Sequence, residues 1–247
     1  MDDRPKAGEV IQGRTFSEAA WEDIDLAEAV LVDCTIVATA FGAASLTGAR
    51  LSHCRLTRCR FSHADLREAV FEDCVFADPE TQQGVSLAFC RLDEARFARC
   101  DLTHARFEAA DLYGANFEDC NLLGSRFPRA SFHRAFGGKV VRTAARFARC
   151  NFELADLSQV RLPGCELAGS RFREADLSGA DLQGADLSNC DLFGAILDGA
   201  KMAGVDLRGA EVSGLDLRRL ASYANLKIDP DQQYRLLDAM GVDVQIG

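Results

Sequence analysis

The sequence lacks several features that would give an early clue to function. It has no uninterrupted apolar run of about 18 residues, and its opening residues, MDDRPKAGEV, contain no apolar segment of the signal-peptide kind. No Pro/Gly-rich linker divides its 247 residues. No P-loop, Gly-rich dinucleotide turn or nucleophile–base pair is present. These absences predict one cytoplasmic unit that is not an enzyme, binds no cofactor or small-molecule substrate, and contacts no membrane.

What the sequence contains in abundance is one five-residue word. Residues 175–195 read ADLSG ADLQG ADLSN CDLFG A. An apolar residue, here called a centre, recurs at every fifth position. It does so in three runs, from Ile11 to Phe76, from Leu87 to Phe132 and from Phe147 to Leu217. A period of five matches neither a strand nor an α-helix. The pattern therefore indicates a repeat architecture.

The position two residues before each centre is almost always small. From Leu26 onward it holds Ala, Cys, Ser, Thr or Val, with Ile24 and Leu215 as the two exceptions. Each word thus offers two inward side chains and three outward ones. This pattern predicts a short extended segment that ends at a corner.

The order of the centres indicates how many sides one coil has. Between Leu92 and Phe127 the centres alternate between Leu and Phe. A four-sided coil of twenty residues places Phe97 beneath Phe117, whereas a triangular coil places it beneath Leu112. Like residues stacked at the strand spacing of about 4.8 Å pack densely. The sequence therefore predicts an all-β, quadrilateral β-helix stabilised coil against coil.

The ten cysteines all occupy the small inward position. We interpret them as buried packing residues that alanine could replace. A metal site would need further ligands nearby, but the four histidines lie outside the inward positions. Disulfides do not fit a cytosolic chain. We therefore expect no metal.

The repeat is interrupted in two places and ends before the C-terminus. Residues 77–84 read ADPETQQG, and residues 133–144 read HRAFGGKVVRTA. Recognition residues often lie on such loops, although a neutral insertion is an equally good reading of either one. In the C-terminal region, Asp229, Pro230 and Gly241 suit the start and end of a helix. We expect a β-helix over residues 1–228 and a C-terminal α-helical cap with a short strand over residues 229–247.

These motifs resemble those of the Qnr-type pentapeptide-repeat proteins, which protect DNA gyrase and topoisomerase IV from quinolones. The stretch FADPETQQG at residues 76–84 is similar to the first loop of that family, with the same frame jump of eleven residues to Leu87. The second interruption has the family's spacing from Phe132 to Phe147, but its wording differs. The ending QQxxLLxxxGV at residues 232–242 is similar to the family's dimerising helix.

The resemblance implies a right-handed quadrilateral β-helix that forms a homodimer and binds a type II topoisomerase. The loops are then predicted to contact the partner through Asp78, Pro79, Glu80, Thr81, Gln82, Gln83, Gly84, Arg134, Phe136, Lys139, Arg142 and Thr143. The C-terminal region would dimerise through an apolar stripe and the short strand that follows it, Leu236, Leu237, Met240, Val242, Val244 and Ile246.

The charge distribution supports only partial mimicry of DNA. The net charge of −10 on a rod of roughly 50 Å is about one charge per 5 Å, against one per ~1.7 Å for duplex DNA. Acidic residues are concentrated in residues 150–217, whereas residues 77–149 are slightly basic. The predicted acidic surface comprises Asp156, Asp176, Asp181, Asp186, Asp191, Asp206 and Asp216. Acidic residues could also serve only to keep a rod in solution.

Two hypotheses follow from the sequence. In the first, the protein is a non-catalytic partial DNA mimic that binds DNA gyrase, or topoisomerase IV, and lessens quinolone poisoning without binding nucleic acid itself. In the second, it is a structural repeat scaffold for an unrelated protein partner. The wording of the first loop favours the first hypothesis, because a mere scaffold has no reason to keep it.

Overall fold

A computed structural model describes residues 4–18, 20–136 and 140–243 of the chain. It shows a β-solenoid whose short strands stack in parallel at a step of twenty residues: Leu31 lies between Ile11 and Leu51. Four words of five residues therefore complete one coil, which confirms the predicted quadrilateral β-helix.

One side of the coil, face 1, carries a seven-stranded parallel sheet, and the next side, face 2, carries a three-stranded one. Face 1 comprises β1 (Val10–Gln12), β3 (Val30–Val32), β5 (Arg50–Ser52), β7 (Val70–Glu72), β8 (Arg96–Ala98), β9 (Ala115–Glu118) and β12 (Ala145–Ala148). Face 2 comprises β2 (Thr15–Ser17), β4 (Thr35–Val37) and β6 (Arg55–Thr57). The remaining words pair with the coil above or below through isolated parallel β-bridges of one residue each. Within the described residues, faces 3 and 4 are therefore ladders of such bridges and contain no extended strands.

Two elements depart from the coil. The strands β10 (His133–Phe136) and β11 (Val140–Thr143) form an antiparallel hairpin. After the last coil come two 3₁₀ turns, Leu217–Arg219 and Pro230–Gln232, and then helix α1, Gln233–Ala239. Within the described residues, no helix is long and apolar enough to cross a membrane.

The core is a set of columns that run along the rod. The centres and the small residues two positions before them are almost all buried. Phe97 stacks on Phe117 with ring centroids 4.7 Å apart, and Phe107 stacks on Phe127 at the same distance. The alternation in the sequence therefore correctly predicted which side chains lie above one another, since like rings at strand spacing stack in parallel.

Corners form where the backbone turns into the next side. The residue two positions after most centres takes a positive φ, as in Asp33 (φ 53°) and Gly48 (φ 66°). Such a conformation favours glycine, asparagine and aspartate and is costly for bulky residues. The abundance of Gly and short polar residues in the word follows from this requirement.

Candidate functional site

The first insertion leaves the rod at the corner between faces 2 and 3. Ser86 pairs with Arg60, which lies 26 residues earlier, six more than one coil. Asp78 folds this loop: its carboxylate accepts the backbone N–H of Glu80 at 3.0 Å, and its own N–H donates to the Gln83 carbonyl at 2.9 Å. The Glu80 N–H holds the pKa of Asp78 below its usual value.

Asp78 is thus buried within the loop, whereas the next five residues, 79–83, are exposed. Arg58 of the preceding coil lies 3.5 Å from its carboxylate. Of the residues predicted to contact a partner, Asp78 shapes the loop, and Pro79, Glu80, Thr81, Gln82 and Gln83 present side chains to solvent.

Gly84 fixes the return of the loop to the rod. A Cβ atom at this position would lie 2.2 Å from the backbone carbon of His104 on the next coil. Only glycine allows the chain to approach that closely. Gly84 is therefore a packing residue that determines where the loop stands.

The second insertion is the β10–β11 hairpin, where the sequence predicted only a loop. Residues 133–136 pair with residues 140–143, and His133 lies opposite Thr143. Gly137 and Gly138 stand between the two strands in the sequence, a composition typical of tight hairpin turns. The hairpin leaves the rod between faces 4 and 1, at the corner diagonally opposite the first loop.

Arg134 anchors the hairpin to the rod. Its guanidinium forms an ion pair with Asp93, whose side chain is buried, and lies 4.5 Å from the ring centroid of Tyr113. Phe136 contacts the same tyrosine edge-on at 5.9 Å, and Arg142 lies over Phe136 at 5.7 Å. Burial of a carboxylate is tolerable only when it is paired.

The predicted contact residues of the hairpin therefore have different roles. Arg134 holds the hairpin, and Thr143 takes part in its ladder. Phe136 and Arg142 remain exposed at its outer end, together with Val141, which the sequence analysis did not single out. Lys139 lies outside the described residues.

The seven aspartates of the predicted acidic surface share one local role. Each carboxylate accepts the backbone N–H of the residue two positions later, for example Asp176 from Ser178 at 2.8 Å and Asp186 from Ser188 at 2.9 Å. Asn121 and Asn151 make the same bond. The recurring Asp of the word is thus a turn residue, which a short polar side chain explains without any binding role.

These aspartates also differ in how far their charge is compensated. Asp181, Asp191, Asp206 and Asp216 form ion pairs with basic side chains, and the hydrogen bond from Arg208 lowers the pKa of Asp206 to about 2. Among the described residues, no ion pair involves Asp156, Asp176 or Asp186. Asp156 and Asp176 lie on face 3 and Asp186 on face 1, so the acidic residues are spread around the rod.

The C-terminal segment closes the rod. Asp229 and Gln232 form a capping box, and the buried Gln232 amide donates to the Leu207 and Ala210 carbonyls at 2.7 Å each. Gly241 has φ +77°, and its N–H and that of Val242 bond back to Asp238 and Leu237, as in a Schellman motif. The predicted stop at Gly241 agrees with the structure, whereas Asp229 and Pro230 begin a 3₁₀ turn and the α-helix itself begins at Gln233.

The predicted dimerisation residues fall into three groups. Leu236 is buried in the core of its own chain, so it caps the rod. Leu237 and Met240 are half-buried, and Val242 is exposed. Val244 and Ile246 lie outside the described residues, as does most of the predicted short strand.

Six of the ten cysteines occupy consecutive coils in one column beneath face 2, Cys190 lies in the same column beyond Ser170, and all ten are buried. Their thiols donate to the carbonyl of the centre one coil earlier, as Cys100 does to Phe71 at 3.4 Å and Cys120 to Phe97 at 3.3 Å. Ser170 continues the column and makes the same bond to Phe147 at 2.9 Å. The six consecutive cysteines are Cys34, Cys54, Cys74, Cys100, Cys120 and Cys150. The cysteines are therefore small residues with a hydrogen-bonding role between coils, which alanine lacks.

Burial also suppresses the reactivity of these thiols. It raises the pKa of Cys59 to about 11 and that of Cys90 and Cys190 to about 12. Because all ten thiols are buried and the reagent must reach the sulfur, we expect none of them to react with Ellman's reagent in the native protein at pH 8. All should react after denaturation in guanidinium. Rapid stoichiometric labelling of the native protein would contradict this burial.

The histidines do not join the cysteines. His53, His63 and His104 occupy exposed corners, and His133 begins β10. In the part of the chain that the structure describes, no group of three His, Cys, Asp or Glu residues is placed to hold a metal ion.

Sequence reasoning missed the anchor formed by Asp93, Tyr113 and Arg134. Asp93 and Tyr113 each follow a centre on face 4, in successive coils. Counting in steps of twenty would have placed them together, but nothing in the sequence indicates that the hairpin folds back over them. The start of the cysteine column, in contrast, could have been predicted from the twenty-residue spacing of Cys34, Cys54 and Cys74.

Comparisons with known proteins agree with this architecture. A family model of pentapeptide repeats matches residues 150–189 and 185–219, and a model of a pentapeptide repeat region matches residues 49–136. No curated protein matches the sequence.

Three solved structures illustrate the similarity. A trypsin-treated form of QnrB1, a plasmid-mediated fluoroquinolone resistance protein, is 29% identical with a TM-score of 0.78, over 88% of this chain and 99% of that one. Full-length QnrB1 is 26% identical with a TM-score of 0.68, over 94% and 100% of the two chains. HetL, a pentapeptide-repeat protein from the cyanobacterium Nostoc sp. strain PCC 7120, is 22% identical with a TM-score of 0.45, over 92% and 90%.

Proposed function

We propose that this chain, which is a pentapeptide-repeat protein, acts as a Qnr-type protector of a type II DNA topoisomerase, either DNA gyrase or topoisomerase IV. In this role it is a non-catalytic, cytoplasmic partial DNA mimic that lessens quinolone poisoning by occupying the enzyme's DNA-binding surface. The alternative is a structural scaffold for an unrelated protein partner.

The first loop is the observation that carries this proposal. The similarity to QnrB1, named as a fluoroquinolone resistance protein, extends along nearly the whole chain. The FADPETQQG wording falls on a loop that Asp78 and Gly84 hold in one shape and whose next five side chains are exposed. Exposed residues on a rigid rod are typical of a recognition element.

The acidic part of the rod supports partial mimicry through a few residues. Asp156, Asp176 and Asp186 are the predicted surface acids that form no ion pair among the described residues, and the segment around them is strongly acidic. We propose that these three carboxylates, which stand on two faces of the rod, meet positively charged groups of the topoisomerase's DNA-binding surface.

Asparagine substitutions test this assignment without disturbing the turns. Asn121 and Asn151 already cap turns in this chain, so D156N/D176N/D186N keeps the bonds and removes three charges. We expect an unchanged melting temperature and severalfold weaker protection of gyrase from ciprofloxacin in a supercoiling assay.

A matched triple variant provides the control. D191N/D206N/D216N removes the same number of charges from aspartates that are already ion-paired, and it should protect as the parent does. Equal losses in the two variants would show that net charge alone matters. No loss in either would remove the acidic surface from the proposal.

We also propose a homodimer through the C-terminal helix. Leu237, Met240 and Val242 leave apolar surface at the end of α1. We expect L237D/M240D to be a monomer in light scattering, because two buried carboxylates at an interface are costly. Its circular dichroism should match the parent, since Leu236 and Gln232 still cap the rod. A wild-type monomer at micromolar concentration would contradict the proposal.

A further inference from the structure

Face 3 carries a ladder of outward side chains whose charge changes sign along the rod. Arg60, Ser86, Arg106 and Arg126 stand on successive coils, each bridged to the next through its backbone. Asp156 and Asp176 continue the same ladder on the next two coils. At about 4.8 Å per coil, the basic part spans roughly 14 Å. We call these six residues the face 3 ladder.

A groove runs beside the basic end of this ladder. It has a volume of about 550 Å³, and its lining includes Thr81, Gln82 and Gln83 of the first loop together with His104, Arg106 and Arg126. Hydroxyl, amide and guanidinium groups therefore converge on one open space. Guanidinium and amide N–H groups bind oxyanions, and arginine binds carboxylate through two parallel bonds.

The ladder arginines are poorly compensated in comparison with Arg99 and Arg149. Arg99 bonds to both Glu72 and Asp73, and Arg149 to both Glu118 and Asp119. Among the described residues, the ladder arginines form one ion pair, that of Arg106 with Glu108 at 3.8 Å, and Glu108 lies closer to Arg129, at 2.6 Å.

Stacking like charges on adjacent strands costs stability. Arg106 and Arg126 nonetheless lie side by side with exposed side chains. Such an arrangement is stabilised when an anion lies across both guanidinium groups. The ladder is therefore better suited to a complex than to the free protein.

We propose that the face 3 ladder and its groove bind a protein segment that carries a block of carboxylates followed by basic residues. The carboxylates lie across Arg60, Arg106 and Arg126, and the basic residues meet Asp156 and Asp176. A nucleic-acid strand fits less well, because its phosphates continue without interruption onto the two aspartates. This contact chemistry does not depend on the partner being a topoisomerase.

The test uses labelled peptides and fluorescence anisotropy at low ionic strength, where surface charges are least screened. The first probe has a glutamate block, a Gly-Ser spacer and a lysine block. The second has glutamates in place of the lysines, and the third is a single-stranded oligodeoxynucleotide of similar length. We expect the parent protein to bind the first probe most tightly and the oligonucleotide least.

Charge-reversal variants locate the binding. R106E/R126E should weaken binding of the first probe at least about tenfold, equivalent to 1.4 kcal/mol. R50E/R96E makes the same charge change with exposed arginines of face 1 and should bind as the parent does. Circular dichroism and thermal melts establish that both variants fold.

Three outcomes would overturn the proposal. These are no measurable binding of the first probe to the parent, equal losses in the two variants, and tighter binding of the oligonucleotide that also depends on Arg106 and Arg126. Because no topoisomerase is present, these outcomes are distinct from a failure to protect gyrase.

Discussion

Deleting residues 78–83 is expected to abolish most protection of gyrase from ciprofloxacin while leaving the melting temperature within a few degrees of the parent. The loop adds six residues to one coil, so this deletion restores the five-residue spacing between Phe76 and Leu87. Gly84 then falls two positions after a centre, where the chain adopts positive φ and favours glycine. Loop closure of this length contributes only about 1–3 kcal/mol. The supercoiling assay, run beside a thermal melt, measures both effects.

A second variant tests whether protection depends on the exposed side chains of the loop when the loop keeps its conformation. E80A/Q83A removes two exposed side chains and leaves the bonds of Asp78 and the approach of Gly84 intact. We expect it to protect nearly as poorly as the deletion. Full protection by both variants would make the loop dispensable and would favour the scaffold hypothesis.

Removing residues 134–143 should also weaken protection, because it takes away Phe136 and Arg142. This deletion restores the spacing between Phe132 and Ala144–Phe147, and it exposes Asp93 to water once Arg134 is gone. The two insertions stand at opposite corners of the rod, so we expect them to contact different surfaces of a partner. The losses of protection that the two deletions cause should therefore be additive, as the effects of changes at independent sites usually are.

Placing a charge in the cysteine column should unfold the rod. Cys100 is buried between Cys74 and Cys120, and Arg at this position has no acid within reach inside the column. An unpaired buried charge puts Cys100→Arg among the substitutions that cost more than about 4 kcal/mol. We expect loss of the β-sheet circular dichroism signal and of soluble expression.

Conservative changes at the same position provide the controls. Cys100→Ser should be tolerated, because Ser170 already makes the equivalent bond three coils further along the same column. Cys100→Ala and Cys120→Ala lose a weak S–H bond and should cost about 1 kcal/mol. A stable, folded Cys100→Arg protein would contradict the packing described here.

The repeat could be predicted because its physics is local. Each five-residue word shows by itself which two side chains point inward and where the chain turns. A step of twenty residues then predicts the stacking of Phe97 on Phe117. Those rules also place every cysteine inside. The step of twenty aligns Cys34, Cys54 and Cys74, and the frame jump at each insertion must be counted to extend the column to Cys100, Cys120 and Cys150.

The insertions could not be predicted to the same depth. Asp78 has the polarity of a contact residue, but backbone N–H groups bind its carboxylate inside the loop. Arg134 has the charge of a contact residue, but Asp93 and Tyr113 bind it to the rod. Leu236 belongs to an apolar stripe that suits a dimer, yet it covers the last coil. In each case a contact within the same chain, which the five-residue pattern does not specify, determines the role of the residue.

Gyrase supercoiling in the presence of ciprofloxacin, with and without the purified protein, tests the central claim most directly. The proposed function predicts that supercoiled product returns, and drug-stabilised cleavage falls, as the protein is added, and that the protein lacking residues 78–83 restores neither. Undiminished inhibition by ciprofloxacin at saturating parent protein, for gyrase and for topoisomerase IV alike, would contradict it.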